Sequence, residues 1–88
     1  MKEFSQGKEI VYRIVDGEAI ILNGSSGMHY SLNKTGTEVF LEVLKGKSIE
    51  KLAELQSIKY KKSQETIKKD IQECVKSLLE KNILKEGN

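Results

Sequence analysis

At Asn33 the apolar period of this chain changes from two to about 3.6, and that switch divides 88 residues into a strand-forming first third and a helix-forming remainder. Before it, 9-EIVYRIV-15 and 18-EAIILN-23 are rich in β-branched residues and flank Asp16-Gly17, the pair that favours a tight type I′ hairpin. Counting outward from that turn pairs Val15 with Glu18, Arg13 with Ile20 and Val11 with Leu22 on one face. Tyr12, Ile14, Ala19 and Ile21 fall on the other, the face better suited to burial. After 24-GSSG-27 comes 28-MHYSLN-33, which turns Met28, Tyr30 and Leu32 to one side and His29 and Ser31 to the other. As the last strand of an antiparallel meander, it is a candidate edge.

Asn33 suits an N-cap, and Val39, Phe40, Val43 and Leu44 form the apolar stripe of a short helix that stops at Gly46. Gly36 weakens that helix by about 1 kcal/mol relative to alanine, a sign that its position makes a demand of its own. Ser48 caps a second helix carrying Ile49, Leu52, Ala53 and Leu55. Ser63 caps a third, roughly 64–81, and Asn82 is suited to end it in a left-handed conformation before Ile83-Leu84. The order is βββααα. A chain this short holds one small domain, 1–88 with its core about 9–85, because too little remains to build a second core.

The third helix does not carry a simple stripe. At about 100° per residue, with Ile67 at zero, Ile71, Cys74 and Leu78 fall within about 40° and form the expected core face. Val75 and Leu79 lie roughly 80–120° round and share that flank with Lys68 and Gln72. Two readings of this shoulder stay open: packing on the first helix or the C-terminal tail, or one wall of a groove.

Composition excludes several functions. The chain is 38% hydrophobic and 32% charged, enough apolar material for a thin core under a solvated surface, so a folded module is expected. Cys74 and His29 are the sole cysteine and histidine, which rules out an internal disulfide and any recognised zinc-ligand spacing. No metal or other cofactor is expected. A general base at His29 would need a nucleophile or an orienting acid, and no Ser/His/Asp or Cys/His grouping is present, so it reads as a half-exposed strand residue. Cys74 reads as a small buried hydrophobe. No apolar run reaches the roughly 18 residues of a membrane helix and MKEFSQGKEI has no secretory h-region, so a cytoplasmic protein is expected.

Taken together, the hairpin, His29-Tyr30-Ser31-Leu32-Asn33-Lys34-Thr35-Gly36, a helix ending Leu44-Lys45-Gly46-Lys47-Ser48, a long helix with Asp70-Ile71 and Leu78-Leu79, and Ile83-Leu84 resemble the PqqD-like family. Its sharpest piece is Y-x-L-N-x-T-G followed by a helix, a helix-ending glycine and a second helix, with Val39-Phe40 at a position usually aromatic or large and apolar. The family comprises small winged-helix domains, the RiPP recognition elements, which bind the leader segments of ribosomally made precursor peptides. The resemblance implies an α+β, winged helix-turn-helix-like fold: a three-stranded antiparallel N-terminal sheet followed by three helices.

It also implies a non-catalytic mechanism. The leader would add as an antiparallel strand to the third strand, over Met28, His29, Tyr30, Ser31 and Leu32, in a cleft whose other wall is the third helix. Lys68, Gln72, Val75, Lys76 and Leu79 are the candidates for that wall, with the two lysines meeting acidic leader residues. The implied partners are the precursor peptide and a separate leader peptidase or modifying enzyme, with a lasso-peptide-type pathway favoured, and the protein itself a monomer or weak dimer.

The rival is a winged-helix DNA-binding protein that reads the major groove with its third helix. Residues 45–88 do carry eleven Lys/Arg against seven Asp/Glu, and 57–69 holds five lysines against one glutamate. Lys59, Lys61 and Lys62 would be phosphate contacts in that reading and solvated surface otherwise. Base readout favours arginine, however, and the one arginine, Arg13, lies in the hairpin. With a net charge of +2 as well, nucleic acid is the disfavoured partner.

Overall fold

The computed structural model describes residues 4–87. The elements run β1 (Phe4–Gln6), β2 (Ile10–Val15), β3 (Glu18–Asn23), β4 (His29–Ser31), α1 (Lys34–Leu44), α2 (Ile49–Tyr60), α3 (Gln64–Glu80) and β5 (Leu84–Glu86). Residues 1–3 and 88 of the expected domain lie outside this description.

Strands β2, β3 and β4 form an antiparallel sheet in that order. The hairpin register is the one expected, with Val15 opposite Glu18, Arg13 opposite Ile20 and Val11 opposite Leu22. Asp16 and Gly17 both take positive φ, 53° and 81°, as a type I′ turn requires. On the inner face Ala19 and Ile21 are fully buried and Tyr12 meets the Phe40 ring edge-on, centroids 5.0 Å apart. Ile14, beside the turn, stays 44% exposed on that same face.

The three caps are where the sequence puts them. Asn33 Oδ1 accepts from the Gly36 N–H at 2.8 Å, Ser48 Oγ from Lys51 N–H at 3.1 Å and Ser63 Oγ from Thr66 N–H at 3.4 Å. Thr37, buried in the first turn of α1, ties helix to sheet. Its Oγ1 accepts from the Ala19 N–H at 2.8 Å and its hydroxyl donates to the Leu32 carbonyl at 3.3 Å. The side chains of Phe40, Val43, Leu52, Ile71, Leu78, Ile83 and Leu84 close the core beneath.

A second, two-stranded sheet of β1 and β5 stands outside the expected order βββααα. Phe4 pairs with Glu86, Ser5 with Lys85 and Gln6 with Leu84, joining the two ends of the chain. Asn82, at φ 59°, turns the chain out of α3 toward this pairing. Gly7 then passes so close that a Cβ there would lie 2.0 Å from the Asn82 carbonyl oxygen, so only glycine fits. The fold is α+β and winged-helix-like, its N-terminal antiparallel sheet followed by three helices. Among the described residues no helix is long and apolar enough to cross a membrane.

Candidate functional site

Strand β4 pairs with β3 on one side and, among the described residues, with nothing on the other. The hydrogen bonds flanking it fix which main-chain groups are open. Asn23 N–H donates to the Met28 carbonyl and Leu32 N–H to the Ala19 carbonyl, each at 2.9 Å. In an antiparallel ladder this parity turns the main-chain groups of Met28, Tyr30 and Leu32 toward β3, so those of His29 and Ser31 point outward. The strand is thus open at two residues. Side chains follow the complementary rule: Tyr30 and Leu32 are half-buried on the core side, while His29 and Ser31 are exposed.

The wall of α3 that faces this edge differs from the expected one. The Lys81 ammonium lies 5.7 Å from the centroid of the Tyr30 ring, and Asp70 and Cys74 share a cavity with Asn33 and Gly36, the residues that follow β4. Asp70, Cys74 and Lys81 lie within about 40° of one another around the helix axis. Lys68, Gln72, Lys76 and Leu79 lie roughly 140–180° away from them. Lys68 instead pairs with Glu50 at the start of α2, at 3.4 Å, Gln72 and Lys76 are exposed, and Leu79 is half-buried against the core.

Val75 requires a correction of its own. It is 3% exposed and belongs to the core, whereas Cys74, expected in the core, is half-buried at the rim of the cleft. The core face is centred about 35° beyond Ile67, because Ile67, Ile71, Val75 and Leu78 are the buried residues of α3, which packs against α2, α1 and β5. Val75 therefore holds the helix in place and presents no surface to a ligand.

The chemistry of the cleft is modest. Burial raises the Cys74 pKa above that of a free thiol, against a smaller opposing influence from Lys81, which keeps it protonated and unreactive near neutrality. Among the described residues no group of three or more His, Cys, Asp or Glu side chains could hold a metal ion. What the site offers is an open strand edge, half-buried apolar side chains, the Lys81 cation beside Tyr30, and Lys62 and Asp70 on the cavity lining.

The family model for coenzyme PQQ synthesis protein D (PqqD) matches residues 18–84, from the first residue of β3 to the first of β5. The chain belongs to the PqqD family. Among solved structures, this PqqD-family chain is similar to a lasso peptide synthetase B1 complexed with the leader peptide, with 28% identity, a TM-score of 0.89, and coverage of 94% of this chain and 98% of that one. It also shares its fold with TbiB1 in complex with the TbiA(beta) leader peptide, at 20% identity and a TM-score of 0.84, over 92% of this chain and 94% of that one. No curated protein matches it.

Proposed function

We propose that this protein binds the leader segment of a ribosomally synthesised, post-translationally modified precursor peptide and makes no chemical change in it. The leader lies antiparallel to β4, where the outward N–H and C=O groups of His29 and Ser31 form main-chain hydrogen bonds with it. Its inward side chains reach Tyr30, Leu32 and the rim at Cys74, and its acidic residues meet Lys81. A separate leader peptidase or modifying enzyme then acts on the captured peptide, and a lasso-peptide-type pathway is the setting the reading favours.

The observation that carries this is the open edge at His29 and Ser31, in a chain of the same fold as two proteins whose structures hold a leader peptide. DNA reading by α3 is poorly supported by comparison. Its exposed residues Glu65, Lys69, Gln72, Glu73, Lys76 and Glu80 mix both signs, and Lys68 is engaged by Glu50. The test is incubation with the precursor peptide of its pathway. Binding that survives moderate salt, with the peptide mass unchanged, is the expected result. Binding that collapses with salt, or a mass change retained after repurification, overturns the reading.

A further inference from the structure

A cavity of about 350 Å³ opens between the start of α1, the end of α2 and the first half of α3. Asn33 and Gly36, directly after β4, line it, as do Val39, Ile67 and Ile71. A Cβ at Gly36 would stand 3.2 Å from the Asn33 cap oxygen, tighter than an ordinary contact, so the glycine lets the helix start pack closely on its own cap beside the cavity. Gln56 of α2 also lines the cavity, is 3% exposed, and its Nε2 is buried with no hydrogen-bond acceptor.

A buried amide donor without a partner is rare and destabilising, so an acceptor that reached it would be favoured, and the cavity that Gln56 lines is where one can enter. The direction of the chain says which ligand part arrives here. A peptide antiparallel to β4 has its N-terminal end beside Leu32 and Asn33, where Asn33 lines the cavity. Residues preceding the strand-adding segment therefore pass over the opening.

We propose that Gln56 is a specificity-determining residue of the leader site: the cavity receives one side chain from just upstream of the added strand, apolar along its stem and ending in a neutral oxygen acceptor for the Gln56 amide. The apolar walls favour the stem. Lys62 and Asp70, both exposed, also line the cavity and offset each other in charge; a carboxylate buried beside the Gln56 amide would meet a neutral donor there, so a neutral acceptor is preferred. A purely apolar side chain would fill the space and leave the amide unpaired, and that difference creates the selectivity. This inference rests on the leader-binding reading.

The test uses the full chain and a displayed library of random 20-residue peptides, with Gln56→Met and Gln56→Leu as variants, their folding checked by thermal melts. Wild-type binders that slow hydrogen exchange at His29 and Ser31 should share a hydroxyl- or carboxamide-bearing residue upstream of the strand segment. Replacing it by an apolar residue of similar size should weaken binding about tenfold to wild type and leave binding to the Gln56 variants unchanged. Strand-adding binders with no such preference, or with the same loss on both variants, overturn this inference and leave the proposed function standing. A library with no binder that protects His29 and Ser31 removes both.

Discussion

The Lys81 ammonium stands 5.7 Å from the centroid of the Tyr30 ring and donates to Ser77 Oγ at 2.7 Å, so one cation is fixed where the end of α3 meets the open strand edge. Lys68, on the opposite flank of the same helix, is spent on Glu50. Lys81→Met should therefore weaken leader binding several-fold, with the difference shrinking as salt rises, while Lys68→Met leaves affinity unchanged. The Lys81 change removes a cation–π contact of about 0.5–1 kcal/mol at most, so the melting temperature should barely move. Titrations at two salt concentrations, each paired with a melt, check both statements.

The relation between Val75, Leu78 and Leu79 separates core from cleft. Val75 and Leu78 are 3% and 2% exposed, and truncating either to alanine should destabilise by about 2 kcal/mol or more. Leu79→Ala, at a half-buried position, should destabilise by about 1 kcal/mol and leave leader affinity intact. Urea denaturation and peptide titration on the three variants make the comparison. A tenfold loss of affinity in a well-folded Leu79→Ala would restore the flank of Lys68 and Leu79 as the groove wall.

Glu42 gives a pH signature. Lys47, 2.6 Å away, and then Lys45 lower its pKa against a raising contribution from burial. A carboxylate with a lowered folded pKa adds stability above its unfolded value and loses it as the pH falls through the folded one. Glu42→Gln should thus reduce stability at pH 7 by less than about 1 kcal/mol. The gap between variant and wild type should close in melts taken below the ordinary carboxylate range. A gap that persists at low pH would assign the effect to something other than this charge.

Local signals were legible in the sequence because they act over a few residues. Asp16-Gly17, the caps at Asn33, Ser48 and Ser63, and the left-handed Asn82 each express a preference of one residue for its own backbone. The β1–β5 pairing was not legible, because Phe4–Gln6 and Leu84–Glu86 are three residues each and gain their strand character only from partners at the far end of the chain. The face of α3 was misjudged because Ile67 is an edge of its buried stripe, and taking it as the centre moved Val75 out of the core and Cys74 in. Gln56 did carry a signal: standing i+7, i+4 and i+3 from Ile49, Leu52 and Ala53, it falls within the apolar stripe of α2, where a polar side chain interrupts the pattern and is buried with it.

Hydrogen exchange at single-residue resolution over 28–32, with and without the leader peptide, tests strand addition most directly. Tyr30 and Leu32 direct their amides to β3 and should exchange slowly in both samples. His29 and Ser31 should exchange fast alone and slow markedly when the leader is added, giving an alternating pattern. An equal gain of protection at all of these residues would contradict strand addition, and a gain confined to 48–69 with His29 and Ser31 unchanged would place the binding surface on the helices.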